Sequence, residues 1–307
     1  MRSDDASGTA LSPGPCAVGG HPSLPPWLKQ RVNAETTSVL EMMDALQLNT
    51  VCLSASCPNI GECYGMHQAA FLILGGVCTR NCRFCAVSKG RPEAVDPEEP
   101  GKLVQAIRRL SLSHVVITSV TRDDLSDGGA GQFALCLEKV REGCPGVTTE
   151  VLVPDFLGDA GAADTVLKAA PEVFNHNMET VPRLYPRVRP EADYGRSLAL
   201  LRRAAQSGTC QVKTGLMLGL GEREQEVLDV LDDLVKAGVT SLTLGQYLSP
   251  SRGHLPVAEY IRPERFGWFK TMAYKKGFSQ VAAGPLVRSS YHAAALFNDE
   301  VEKKKIM

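Results

Sequence analysis

The chain has 307 residues and a mass of 33.0 kDa, enough for two average domains or for one α/β barrel with a full core. Apolar residues at 44% and charged residues at 22% exclude the disordered and collagen-like classes. The 33 Lys and Arg against 34 Asp and Glu leave no positive excess to hold nucleic acid or an anionic membrane, and the apolar stretch from Ala69 to Cys78 is far shorter than a membrane-spanning helix requires.

Residues 1–26 are polar and rich in Gly and Pro, which reads as a loose tail. They carry no basic region followed by an apolar one, so no secretory signal is expected and the protein is expected to be cytoplasmic. From Trp27 to about Asn49, the helical spacing of Val39, Met42, Met43 and Leu46 predicts a helix leading into a first group of cysteines, which is expected in a loop. Six strand candidates follow: Ala70 to Leu74, His114 to Val120, Val147 to Val153, Val173 to Asn177, Gln211 to Leu218 and Ser241 to Leu248. Between them, Leu103, Val104, Ile107 and Leu110, and again Val227, Val230, Leu231 and Leu234, are spaced as apolar faces of crossover helices. Repeated strand-helix units demand a parallel sheet, barrel-like or doubly wound, with function on loops at the carboxyl ends of the strands. Cys78, just after Gly75 and Gly76, falls at such an end.

Six of the ten cysteines, Cys52, Cys57, Cys63, Cys78, Cys82 and Cys85, crowd into one short segment. In a reducing compartment such a cluster points to metal or catalysis rather than to disulfides. Cys78-Thr-Arg-Asn-Cys82-Arg-Phe-Cys85 is a CxxxCxxC loop offering three thiolates. A cubic four-iron cluster usually takes four cysteines, so three leave one iron open to a ligand. Structural zinc is the competing reading, but it prefers paired CxxC knuckles or Cys/His sets, and neither is present. The upstream group Cys52-x4-Cys57-x5-Cys63 is again three without a fourth nearby. Cys136 shares a helical face with Phe133 and Val140 and reads as a buried apolar thiol, while Cys16, Cys144 and Cys210 have no partner spacing. The six histidines are dispersed and none is assigned to metal; Lys303, Lys304 and Lys305 read as a solvated end.

The CxxxCxxC loop, with Phe84 before its third cysteine, resembles the signature of the radical S-adenosylmethionine (SAM) enzymes, and Gly215 to Glu222 resembles their GxIxGxxE segment. The upstream group, with Pro58-Asn59-Ile60-Gly61-Glu62 inside it, resembles the lipoyl synthases within that superfamily, as does Arg288-Ser289-Ser290-Tyr291. The resemblance runs over about residues 27–297 and implies an α/β partial (β/α)6 TIM-type barrel at 69–283. It also implies an N-terminal extension at 27–68 and a C-terminal segment at 284–307. It implies two [4Fe-4S] clusters: a radical SAM cluster on Cys78, Cys82 and Cys85, and an auxiliary cluster on Cys52, Cys57, Cys63 and Ser290, sacrificed as the sulfur source. Phe84, Asn177 and Glu179 are implied as SAM-binding residues. The implied partners are an octanoylated lipoyl-carrier protein, sulfur being inserted at C6 and C8, and a low-potential electron donor protein. Arg122, Asp123, His254 and Arg288 receive no role.

Duller readings stand beside these. Ser290 suits a helix N-cap before Ala293 to Phe297, and Asn177 and Glu179 suit a turn and a surface. The alternatives for the whole chain are another radical SAM enzyme with an auxiliary cluster, or a non-catalytic iron-sulfur carrier or scaffold.

Overall fold

The computed structural model describes residues 25–28, 36–55, 57–66 and 68–297, so most of the expected tail and the three terminal lysines lie outside the described residues. Strands β1 (Asn49–Thr50), β2 (Ala70–Ile73), β5 (His114–Ser119), β6 (Thr148–Leu152), β7 (Val173–Asn175), β8 (Gln211–Leu218), β9 (Ser241–Gln246) and β10 (Gln280–Gly284) form one sheet in that order. A separate pair, β3 (Val77–Cys78) and β4 (Ser88–Lys89), runs parallel beside it. Every pairing in the main sheet is parallel except β1 with β2.

Crossovers between the parallel strands are α4 (Glu99–Arg109), α5 (Ala130–Gly143), α6 (Ala160–Lys168), α8 (Tyr194–Ser207), α9 (Glu224–Lys236) and α10 (Pro263–Lys276), with the short α7 (Tyr185–Val188) leading into α8. This is the expected partial α/β barrel of six strand-helix units, extended by a further parallel strand, β10, that the sequence pattern did not announce. β10 reads Gln-Val-Ala-Ala-Gly, with one β-branched residue and no alternation, so its pairing with β9 rather than its composition makes it a strand. The helices bury one face each: Leu103, Ala106 and Ile107 of α4 and Val227, Val230, Leu231 and Leu234 of α9 are buried as their spacing predicts.

The N-terminal extension departs from expectation in one respect. After α1 (Thr36–Ala45), the first cysteine group does not lie in a plain loop: Cys52 sits on α2 (Val51–Ser54) and Cys63 on α3 (Ile60–Gly65), with Cys57 between them. Helices this short carry no readable period. Local bonds make them: Thr50 caps α2 through Leu53 N–H, and its hydroxyl meets the Tyr64 hydroxyl at 2.8 Å, locking α2 to α3.

Inside the sheet, below the cavity described next, lies a buried polar layer. Lys213 Nζ donates to both oxygens of Glu150 at 2.9 Å and Asn175 Nδ2 donates to the same carboxylate at 3.0 Å. Burial alone would raise the Glu150 pKa, but Lys213 overrides it and the net direction is down. Outside, the helices depend on ordinary caps: the Asp193 carboxylate accepts the Arg196 N–H at 2.7 Å at the start of α8. Asp193→Ala is expected to cost about 1 kcal/mol in urea unfolding without altering any activity; an activity loss exceeding the stability loss would contradict a purely structural role. No helix among the described residues is long and apolar enough to cross a membrane.

Candidate functional site

The CxxxCxxC loop connects β3 to β4, and Gly90 N–H closes it on the Cys78 carbonyl at 3.1 Å. Its inner end is pinned to the residues that follow β5: Thr79 N–H donates to Thr121 O at 3.0 Å and Asp123 N–H to Thr79 Oγ1 at 3.1 Å. Arg80, two residues past Cys78 and only 4% exposed, forks onto Asp123 at 2.6 and 2.8 Å and reaches Asp155, after β6, at 2.6 Å. Asp155 is fully buried and also holds Arg196 at 3.1 Å. The loop's outer end is gripped by His254, whose Nε2 donates to Cys85 O at 3.0 Å, leaving Nδ1 to accept from Ser251 Oγ at 2.8 Å. Arg122 does different work, donating to Leu74 O and pairing with Asp124.

The C-terminal segment after β10 crosses the mouth of the sheet. Gln246 N–H donates to Pro285 O, and the Val287 carbonyl lies so close to Gly245 that a Cβ there would overlap it. The segment is then bolted to the N-terminal extension: Asn59 Nδ2 donates to Leu286 O at 2.7 Å, and Tyr291 Oη donates to Glu62 at 2.9 Å. It is also tied to the barrel, where Asn177 Nδ2 donates to Ser289 Oγ at 3.2 Å and to Glu179 Oε1 at 3.1 Å. Ser290 does not cap the turn at 293–297, because the first carbonyl used there is that of His292, which accepts Leu296 N–H.

These pieces enclose one cavity of about 970 Å³. Cys52, Cys57, Cys78, Cys82, Cys85 and Ser290 all line it, as do Phe84, Asn177 and Glu179. Cys63 stands behind its wall, close enough to Cys52 and Cys57 that their charges raise its pKa. The structure thus brings the ten expected site residues around one space. It adds Arg288, which the sequence left without a role, and Arg189 and Arg80, which the sequence did not single out.

The thiols are poorly solvated. Burial pushes Cys52 up to about 11 and Cys63 and Cys82 up to about 12; Cys85 also moves up for the same reason. In each case neighbouring cysteines of the same group add to the rise, while Arg189 opposes it at Cys82. Such thiols stay protonated at neutral pH unless a metal takes the proton's place. Glu179, held at φ 67 and enclosed by protein apart from its cavity side, is raised by desolvation against the pull of Arg189, Asn177 and Arg288. His176 is pushed down to about 4 by burial and is neutral; its ring bridges Val153 O at 2.8 Å and Ser197 Oγ at 3.0 Å.

Among the described residues no three His, Cys, Asp or Glu side chains converge tightly enough for a single metal ion. Two cysteine groups instead border an open volume, a donor set suited to a body larger than an ion. The cavity also offers unused polarity: Asn177 Oδ1 and Arg189 Nε are buried without a partner, although Arg189 Nη1 is spent on Asn177 O at 2.8 Å. An orphaned acceptor and an orphaned cationic donor on one wall suit a small zwitterion such as SAM. Glu222, in the glycine segment after β8, turns inward instead, accepting Gly219 and Leu220 N–H at 2.6 and 2.9 Å. Gly219 itself is required, since φ is 97 and a Cβ would overlap Gln246 and the Glu259 carbonyl.

Comparison with known proteins gives consistent results. Residues 72–234 match the radical SAM superfamily. The chain is 54% identical over 271 residues to the lipoyl synthase of Caldanaerobacter subterraneus subsp. tengcongensis, covering 88% of this chain and 95% of the relative. It is 51% identical over 277 residues to the lipoyl synthase of Rubrobacter xylanophilus, covering 89% and 86%. Among solved structures, methylornithine synthase aligns with TM-score 0.52 at 13% identity, covering 81% of this chain and 78% of that one. Streptococcus suis SuiB bound to S-adenosylmethionine aligns with TM-score 0.54 at 10% identity, covering 73% and 52%. At such identities these two likenesses speak for the fold.

Proposed function

The chain belongs to the lipoyl synthase family of the radical SAM superfamily, and from that premise we propose how its residues divide the work of inserting two sulfur atoms at C6 and C8 of a protein-bound octanoyl chain. Cys78, Cys82 and Cys85 would hold the radical SAM [4Fe-4S] cluster that the superfamily uses. Bound there, that cluster and SAM supply a 5′-deoxyadenosyl radical able to take hydrogen from unactivated carbon. Both target carbons lack acidic protons, so no positioned base serves this reaction. Asn177 and Glu179 would orient SAM, and Phe84 would pack beside it. Arg189, with one nitrogen uncommitted, suits the carboxylate of SAM.

Cys52, Cys57, Cys63 and Ser290 would hold the second cluster, which is a substrate here, the source of the inserted sulfur. Serine oxygen is a harder donor than thiolate and suits a ligand that must let go. Cys52 is buried and the other five cysteines are half-buried, and the strap at 286–291 would hold Ser290 at the cavity wall that Cys57 also lines. The octanoyl group enters on a lipoyl-carrier protein, and a low-potential donor protein supplies the electrons.

The observation that carries this reading is that both cysteine groups border one cavity. It is tested by mass spectrometry of an octanoyl-lysyl peptide after anaerobic incubation with cluster-reconstituted protein, SAM and dithionite. Two added sulfurs with release of 5′-deoxyadenosine are expected, and Cys82→Ala is expected to abolish both while remaining folded. Release of 5′-deoxyadenosine without sulfur insertion would move the chain to another acceptor. Neither product, with both clusters present, would reduce it to an iron-sulfur carrier. Unchanged SAM cleavage in Cys82→Ala would sink the cluster assignment.

A further inference from the structure

Three segments at the cavity mouth, residues 78–91, 182–190 and 247–257, contain no Asp or Glu, in a chain where acids slightly outnumber bases. The backbone of Arg83 joins them: its N–H donates to Val188 O at 2.9 Å and its carbonyl accepts Leu255 N–H at 3.1 Å. Arg83, Lys89, Arg91, Arg187 and Arg252 on these segments are exposed. Among the described residues none of the five takes part in an ion pair, whereas Arg80 and Arg183 on the same segments do. The five cations of this rim are therefore left without ion-pair partners among those residues, although the Glu191 carboxylate reaches Asn81 N–H at 3.3 Å.

Just past Asp155, the buried partner of Arg80, stands a strained turn. Phe156 and Leu157, at φ 47 and 52, occupy the left-handed region that non-glycine residues avoid, and the turn is held by Asp155, the residue that grips Arg80. The strain buries Phe156 and holds Leu157 outward, 57% exposed. Arginine, enriched in protein-protein contacts, makes up four of the five rim cations, and Leu157 adds exposed apolar surface.

We infer that this mouth is the docking surface of the acyl carrier, and that the rim recognises carboxylates on the carrier's surface around its octanoyl-lysine. The inference rests on the sulfur-insertion reading. A carrier is favoured over an electron donor because Lys89 and Arg252 line the cavity itself, the route the acyl chain must take. Unpaired rim charges act chiefly on encounter and orientation, so their effect belongs in the carrier's KM and in its salt dependence.

The test uses the full chain with its clusters and dithionite as reductant. The Arg91→Glu/Arg187→Glu double variant, at two exposed rim residues that do not line the cavity, is expected to raise KM for an octanoylated lipoyl-carrier domain about tenfold or more, and to flatten the fall of kcat/KM with salt. Leu157→Ser is expected to weaken the same binding without changing the salt slope. Turnover of a short octanoyl-lysyl peptide is expected to stay at the parent level in both, and the parent's turnover of that peptide separates failure of this inference from failure of the activity reading. Titration of the carrier against parent and variant, read without turnover, tests docking directly. Equal carrier affinity in parent and double variant overturns the inference. So does a defect seen only when a protein electron donor replaces dithionite, which would make the rim the reductant's site.

Discussion

Arg80→Ala is expected to unmake the CxxxCxxC loop. The guanidinium is 4% exposed and sits between two carboxylates, one of which, on Asp155, has no exposed surface. Removing the cation leaves Asp155 with Arg196 at 3.1 Å as its remaining ionic partner, and breaking a buried pair in this way costs about 3–5 kcal/mol. The loss falls where Cys78 and Cys82 are held, so iron bound per chain should drop along with stability. Arg80→Lys keeps the charge but not the fork that meets both Asp123 oxygens, and should fall between parent and alanine variant.

The pH dependence has a definite sign. Burial alone would raise Asp155, but Arg80 overrides it and the group lies below its ordinary range. A depressed carboxylate stabilises the fold above its unfolded pKa, and that contribution is lost as pH falls through the folded value. The alanine variant lacks the Arg80 share of it, so the difference between parent and variant should be largest at neutral pH and shrink below about pH 4. Urea unfolding at both pH values decides; a difference under about 1 kcal/mol at neutral pH, or one independent of pH, would show that the pair is not what holds the loop.

Gly245→Ala is expected to separate the two halves of the reaction. The new methyl would overlap the Val287 carbonyl and crowd Arg288, so the strap over the mouth must lift. Overpacking costs about 1–3 kcal/mol, which shifts the balance between seated and lifted strap by about fivefold to about 150-fold. Lifting it breaks the Asn177 contact to Ser289 and carries Ser290 off the cavity wall, while the CxxxCxxC loop, anchored to β5 and β6, is untouched. Lipoyl product should fall by up to that factor, with 5′-deoxyadenosine release largely kept. Equal loss of both products would mean that the strap serves the whole cavity rather than the sulfur source.

Much of this was legible in the sequence because periodic patterns and motif spacings are local. Gln211 to Leu218 forms the strand its β-type run predicts, and the α9 face from Val227 to Leu234 is buried as spaced. β10 was not legible because Gln280 to Gly284 has no strand pattern of its own, and the helices carrying Cys52 and Cys63 are shorter than two turns. In the site, cysteines announce themselves by type and spacing, whereas Arg80 is an ordinary arginine until two distant strand ends bring Asp123 and Asp155 to it. Gly245 likewise looks like any strand glycine until the chain's far end returns across it.

The bonds from Asn59 to Leu286 and from Tyr291 to Glu62 join segments more than two hundred residues apart, with |i−j| of 227 and 229. The two ends of the fold are thereby one cooperative unit laid over a barrel that stands on its own sheet and helices. Their backbone amides are expected to share one opening event and to exchange with solvent at a common rate, ahead of the barrel strands beneath, which hydrogen exchange would read.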